Sequence, residues 1–322
     1  MTRFVVCGEA LIDLVGLPDS PDDPDRQGGA RGNFSTRWEA QAAGGPMTTS
    51  IALAQLGRDS QFLGRLSSDS FGRQIAAHLD DTGVATDLAV TSDQATSVAV
   101  VQLDDRGKAS YTFHFHETAN FGWQPDDLPQ LDEGDWLHVG SLALIVRPGA
   151  DVLVDWAATT STPLSIDVNV RPAVLPDPQD YWQRIEPWLR LAGQRQGLVK
   201  GSDEDFDFLA TGAGFDSRES FIADLAKSGV GAVATTLGPD GGQLVLADGT
   251  ELAVPGLERE LVDTVGAGDT FMAALVDGVE RDLDPEQTLQ RAVAASAIVV
   301  SRRGAQPPTS AEVDELVAAE WS

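Results

Sequence analysis

Asp263-Thr264-Val265-Gly266-Ala267-Gly268-Asp269-Thr270-Phe271-Met272-Ala273-Ala274-Leu275 is the most informative stretch of the 322-residue chain. Gly266, Ala267 and Gly268 carry no bulky side chain, so the backbone there can approach a ligand closely. The apolar run that follows at once reads as a helix. A helix start offers N–H groups without intrahelical acceptors and the positive end of the helix dipole, and both suit an anionic phosphate. Asp269 falls in the same turn. An anion cradle beside a carboxylate is what phosphoryl transfer to a hydroxyl requires: the cradle stabilises the transferring charge, and the carboxylate takes the proton. A plainer reading makes Asp269 a helix cap and the glycines a turn. The stretch fits neither G-x-G-x-x-G nor G-x-x-x-x-G-K-[ST], so it supports neither a dinucleotide-binding fold nor a Walker loop.

Outward from this loop, strands and helices alternate. Residues 4–7, FVVC, form an apolar run that reads as a buried strand, with Cys7 packed inside it. Residues 18–33 are rich in Pro, Asp and Gly and read as a loop, with a short strand over 34–42. Gly44-Gly45-Pro46 breaks the chain before a helix that ends at Gly57, followed by a strand at 61–64 and a helix at 70–82. Residues 97–104 and 109–116 read as a hairpin around Asp105-Arg106-Gly107. Strands at 136–140, 163–169, 198–201 and 232–238 are separated by helices at 149–160, 179–192 and 217–228, and a hairpin covers 243–255. Asp284, Pro285 and Glu286 mark the start of a last long helix, which Arg302, Arg303 and Gly304 are expected to end.

This rhythm implies an α/β fold, with a mostly parallel sheet covered on both faces. The hairpin-like regions near 11–43 and 96–121 break the rhythm and suggest a small second sheet. No repeat or long linker interrupts residues 1–322, which read as one domain with a β lid formed by about 14–43 and 96–121.

The apolar fraction of 42% excludes a disordered chain. A net charge of −28 disfavours nucleic acid and acidic membrane surfaces as partners. One cysteine excludes an intrachain disulfide and a Cys-rich zinc site, and a reducing compartment fits. The N-terminus has no secretory pattern and no apolar run nears the length of a membrane span, so a cytoplasmic location is expected.

Asp263–Leu275 closely resembles the second signature of the ribokinase-like sugar kinases, the PfkB carbohydrate kinase family. The resemblance implies a three-layer α/β/α sandwich with a small β lid. It makes Gly266, Ala267 and Gly268 the anion hole and Asp269 the catalytic base. Other segments match in the family's order. Gly8–Asp13 resembles the opening strand, which implies that Asp13 holds sugar hydroxyls. Gly44-Gly45-Pro46 through Gly57 resembles the first signature, whose diglycine hinges the lid and contacts the sugar. Asp167-Val168-Asn169-Val170-Arg171-Pro172 resembles the D-x-N-x-R-P strand of fructokinases, with Arg171 suited to a phosphate or sugar oxygen. Lys200-Gly201-Ser202-Asp203-Glu204-Asp205 sits where the family organises nucleotide and Mg²⁺; Ser202 and Asp205 replace its Asn and Glu, and Asp205 would act on Mg²⁺ through water. A plainer reading is a solvated acidic helix start. Thr236, Gly238 and Gly241 resemble a turn that approaches ATP. Backbone carbonyls at Asp263, Val265, Val299, Arg302 and Gly304 match the family's K⁺ ligands.

Two positions depart from the pattern. Thr48 stands where an Asn usually bonds the sugar, and a hydroxyl offers fewer bonds than a carboxamide. Val293 stands where an Asn is expected near adenine. His114 and His116 lie two apart on the lid strand and so share a face, with no third ligand evident. The stretch resembles a lid strand that reaches over the sugar, so His114 is expected to contact substrate. The reading as a whole is an ATP- and Mg²⁺-dependent fructokinase, K⁺-assisted and dimeric through its lid. Its alternatives are a kinase for 2-keto-3-deoxygluconate or ribose, and a non-catalytic sugar-binding regulator of the same fold.

Overall fold

The computed structural model describes residues 2–17, 37–103 and 109–321. The expected loop at 18–33 and the turn Asp105–Gly107 lie outside the described residues.

The chain enters on β1 (Arg3–Cys7), whose Phe4, Val5, Val6 and Cys7 are wholly buried, and passes through Gly8 into β2 (Leu11–Gly16). β3 (Trp38–Ala43) leads through Gly44, at φ 133°, into α1 (Gly45–Gln55). β4 (Asp59–Leu63) and β5 (Arg65–Ser67) precede α2 (Ser70–Asp81). Asp69 caps α2 by accepting from Gly72 N at 2.8 Å. β6 (Val90–Ser92) pairs with β5, and β7 (Val98–Leu103) and β8 (Ala109–His114) follow.

From β9 (Asp135–Gly140) the chain alternates as expected: α3 (Gly149–Thr159), β10 (Leu164–Asp167), α4 (Pro178–Gln194), β11 (Leu198–Ser202). Two helices, α5 (Asp203–Ala213) and α6 (Arg218–Lys227), precede β12 (Ala232–Thr236) and the hairpin β13 (Gly242–Leu246) and β14 (Glu251–Val254). The chain closes on α7 (Ala267–Glu280), α8 (Pro285–Val299) and α9 (Ser310–Trp321).

The large sheet has the order β14-β13-β12-β11-β10-β9-β1-β4. The six strands from β12 to β4 run parallel, and the β13–β14 hairpin continues the sheet antiparallel at one edge. One apolar layer joins the sheet to α3–α6 through Leu153, Ile185, Trp188, Phe206 and Phe221. The other joins it to α1 and α7–α9 through Leu53, Phe271, Leu275, Leu289 and Val313. The fold is therefore a three-layer α/β/α sandwich.

The second sheet, in the order β3-β2-β7-β8, stands beside it. Its register aligns Asp13 with Gln41 and Ala99, and Ala99 with Phe113. The neighbouring row aligns Ile12 with Ala42, Val98 and His114. Successive strand residues face opposite sides, so these rows lie on opposite faces. The Ile12 row packs with Ile75 and Leu79 of α2, while Ala99 and Phe113 join the apolar layer that also holds Leu142 and Phe121.

Two expectations are corrected. α8 ends at Val299, before Arg302–Gly304, because Val300 O accepts from Val262 N and Asp263 N, and Asp263 Oδ2 takes Gly304 N. α9 was not foreseen as a helix, and α5 was foreseen only as the plainer reading of Lys200–Asp205, an acidic helix start.

Candidate active site

The carboxyl ends of β1, β9, β10, β11 and β12 meet at one edge of the sheet, where ligands of open α/β folds gather. Asp167 ends β10 and is paired in register with Lys200 of β11. Lys200 Nζ lies 3.2 and 3.0 Å from the two Asp167 carboxylate oxygens. Burial pulls the Lys200 ammonium down, but Asp167, Asp205 and Asp269 outweigh it and hold it charged, above its ordinary value.

α7 starts over this pair. Gly266 caps it at φ 79°, and an ideal Cβ there would lie 2.8 Å from Ala305 Cβ and 3.1 Å from Thr48 Cγ2. Only glycine fits that conformation and that space. Ala267 N reaches Thr264 O and Thr270 N reaches Gly266 O, which leaves the N–H groups of Gly268 and Asp269 without acceptors among the described residues. Lys200 Nζ sits 2.8 Å from where a Gly268 side chain would begin. Two free N–H groups, a helix dipole and an ammonium thus converge on one point, and a phosphate fits all three.

Asp269 stands in the first turn of α7, half-buried, with no hydrogen-bond partner among the described residues. Burial pushes its carboxyl up to about 7, with the Asp167 charge adding and Lys200 and Arg171 opposing. Asp13, on β2, is pushed up to about 6 by burial, with Arg171 opposing. Burial also raises Glu9, which accepts from Leu142 N at 3.3 Å and Ala143 N at 3.2 Å. Arg171 is the common cationic neighbour of Glu9, Asp13, Asp167 and Asp269.

The structure therefore brings together Asp13, Gly44, Gly45, Thr48, Arg171, Lys200, Gly266, Ala267, Gly268 and Asp269. It does not bring in His114, which faces away from Asp13 on the exposed side of β8. The residue of β8 with its side chain in this field is Tyr111. Partial burial and the Asp13 carboxylate raise its phenol, with Arg171 opposing. Tyr111 stacks on Phe113 at 5.9 Å, and the aromatic line continues through Phe115 to Phe121.

Ser202 and Asp205 form a capping box for α5. Asp205 Oδ2 accepts from Ser202 N at 2.8 Å, and Oδ1 accepts from Val170 N at 2.9 Å. A carboxylate offers about four lone-pair sites, so two remain for a water shared with Mg²⁺. Among the described residues no three His, Cys, Asp or Glu side chains cluster to hold a metal. The residues thus fit a magnesium ion carried mainly by the nucleotide's phosphates.

Asp263 Oδ1 accepts from Val265 N, and its Oδ2 joins Gly304 N, so the loop at 263–265 and the turn at 299–304 are tied together. Their carbonyl oxygens suit a hard monovalent cation. Thr236, Gly238 and Gly241 lie at the β12–β13 turn. A Cβ on Gly241 would come within 2.2 Å of Val254 O, so that glycine serves packing.

Three residues near Asp269 escaped the sequence reading. Glu9 is buried to 2% exposure and ties the chain just before β2 to residues 141–144. Ser141 and Asn169 carry positive φ angles of 59° and 33°. Asn169 lies inside a quoted motif, and that was the signal available for it.

Comparison with known proteins adds four findings. A model described as pfkB family carbohydrate kinase matches residues 1–312. A protein named fructokinase from Klebsiella pneumoniae is 32% identical over 282 residues, covering 86% of this chain and 84% of that one. The crystal structure of a Vibrio cholerae fructokinase, in its fructose, ADP and calcium ion bound form, is 27% identical with a TM-score of 0.82, covering 98% of this chain and 99% of the other. A Xylella fastidiosa fructokinase with bound ATP is 25% identical with a TM-score of 0.84, covering 99% of each chain. Among the described residues no helix is long and apolar enough to cross a membrane.

Proposed function

The chain belongs to the pfkB family of carbohydrate kinases, and on that footing we propose that it transfers the γ-phosphate of ATP to the 6-hydroxyl of D-fructose. The observation that carries this reading is the placement of Asp269. An unpartnered carboxylate, titrating near neutrality, stands one residue from an anion cradle completed by Lys200.

In this reading the N–H groups of Gly268 and Asp269, with Lys200, hold the phosphoryl oxygens and disperse their charge. The sugar lies between Asp13 and Asp269, under Tyr111 and Phe113. Its hydroxyl oxygen bonds to the γ-phosphorus, the bond to the bridging oxygen breaks, ADP leaves, and the hydroxyl proton passes to Asp269. Bound Mg²⁺ would neutralise charge on the phosphates, with Asp205 oriented toward it through water. Carbonyls at Asp263, Val265, Val299, Arg302 and Gly304 would hold K⁺ behind the cradle. The lid excludes water, which would otherwise compete with the sugar.

The charge in the cleft favours a neutral sugar. Among the described residues, Glu9, Asp13, Asp167 and Asp269 face only Arg171 and Lys200 as cations, and Lys200 is paired with Asp167. A sugar acid such as 2-keto-3-deoxygluconate would add a further anion. The relatives named fructokinase, one with fructose and ADP bound, point the same way.

The test is ADP release from Mg-ATP, with K⁺ present, across fructose, ribose, 2-keto-3-deoxygluconate, tagatose and glucose. Turnover on fructose, lowered about 10²-fold or more in Asp269→Ala, supports the assignment. A different preferred sugar corrects the substrate alone. Equal turnover in the variant removes Asp269 as the base.

A further inference from the structure

Gly45 opens a gap at the heart of the site. An ideal Cβ built on it would lie 3.0 Å from Asp269 Oδ1 and 3.0 Å from Asn169 Nδ2, with Ser141 Cβ 3.7 Å away. Two polar groups on different elements, one at the end of β10 and one at the start of α7, therefore face the same small space. Neither has a hydrogen-bond partner among the described residues. One is an acceptor and the other a donor, and a hydroxyl needs one of each: an acceptor for its proton and a donor for a lone pair.

Asn169 is held there deliberately by its neighbours. Its φ of 33° is unusual for a residue with a side chain, although Asn tolerates it better than most. Val168 N donates to Lys200 O at 2.9 Å, Val170 N donates to Asp205 Oδ1 at 2.9 Å, and Arg171 N donates to Tyr181 Oη at 3.2 Å. Bonds on both sides clamp the backbone, so the side chain of Asn169 is aimed by the fold. Strain of this kind gathers where a group must be presented to a ligand.

We propose that Asn169 is a substrate-contacting residue of this site, its carboxamide nitrogen holding the acceptor hydroxyl's oxygen in the Gly45 gap while Asp269 takes that hydroxyl's proton. The inference rests on the kinase reading and adds a residue to it. The oxygen keeps one lone pair on Asn169 and directs another at the γ-phosphorus. As the new O–P bond forms and ADP departs, the proton moves to Asp269 Oδ1. Gly45 is glycine because any Cβ would occupy the place of the reacting oxygen. Asp205 acts as a positioning residue for Asn169 through Val170 N.

The test uses the full chain with Asn169→Gly, which adopts the positive φ without strain, and Asn169→Asp, which keeps the shape but replaces the donor with an acceptor. Binding of D-fructose and 6-deoxy-D-fructose is measured without nucleotide, and turnover with Mg-ATP. The wild type should prefer fructose to the deoxy sugar by about tenfold, the worth of one good hydrogen bond. Asn169→Gly should bind the two sugars equally and lose about 10²-fold in kcat/KM. Asn169→Asp should also move the acidic limb of the pH profile upward, because a second carboxylate beside Asp269 raises its pKa. Gly45→Ala should lose kcat while remaining folded. Undiminished preference for fructose over the deoxy sugar in Asn169→Gly, or Gly45→Ala turnover within twofold of wild type, overturns the proposal while leaving the kinase reading intact. If ribose is the sugar turned over, ribose and 5-deoxyribose replace the pair. Absence of wild-type turnover on every sugar overturns both.

Discussion

Lys200 Nζ lies 3.0 Å from Asp167 Oδ2, and neither side chain is more than 5% exposed. The pair forms the floor on which the start of α7 rests. Lys200→Met should leave the Asp167 charge buried and unpaired, and a loss of about 3–5 kcal/mol in unfolding free energy is expected. Urea unfolding measures it. The same variant should raise KM for ATP, since a cation beside Gly268 is gone.

Asp269 carries opposite consequences for activity and stability. Its carboxyl ordinarily titrates near 3.8 and here near 7, so the folded state binds more protons than the unfolded state between those values. Stability from this group therefore falls as pH rises from about 4 to about 7. Asp269→Asn should abolish most turnover yet raise Tm at pH 8, with the gain vanishing below pH 4. A thermal melt series across pH reads both limits.

The rate should depend on pH through the same group. In the proposed reaction Asp269 accepts the hydroxyl proton, which it can do only when unprotonated. With sugar limiting, kcat/KM should rise with pH and level off above about 7, and Asp269→Glu should displace that limb.

His138 bears the opposite sign. It is buried, its Nδ1 lies 3.0 Å from Ser165 Oγ, and burial pushes it down to about 3, with the Lys200 charge adding. The unfolded chain takes up a proton below pH 6.5 that the folded chain refuses. Stability from this group is thus lost as pH falls from about 6.5 toward 3. His138→Asn should flatten that part of the acid unfolding curve, measured by circular dichroism.

Local chemistry was legible, and distant pairing was not. The loop at Gly266–Asp269 declares itself because its small residues, its carboxylate and its helix are neighbours in sequence. Asp13 and Arg171 were reached through motifs of the same local kind. His114 was placed on the substrate side because it lies in the lid strand. Its face depends on the register Asp13–Ala99–Phe113, which joins three strands far apart in the chain. The end of α8 was misjudged for a related reason. Arg302-Arg303-Gly304 has the composition of a helix end, but the Asp263 loop competes for that backbone. α5 did carry a readable sign, the Ser202-x-x-Asp205 capping box. Asn169 stood in plain sight as a motif letter, yet only the fold shows that its amide and Asp269 share the Gly45 gap.

The central position of β1 also shapes how the chain must be made. β1 precedes both of its neighbours along the chain, yet it ends between β4 and β9. Cys7 waits 132 residues for its partner Val139, on the order of ten seconds of synthesis. For that time an apolar strand edge stands open to any neighbouring nascent chain. Directly downstream, residues 18–25 place three prolines and four aspartates, Asp19, Asp22, Asp23 and Asp25, in eight positions. Such residues beside an apolar strand act as gatekeepers, repelling and interrupting any foreign strand that tries to pair. Three prolines and four like charges so close to β1 and β2 keep the apolar run from extending into a longer pairing edge.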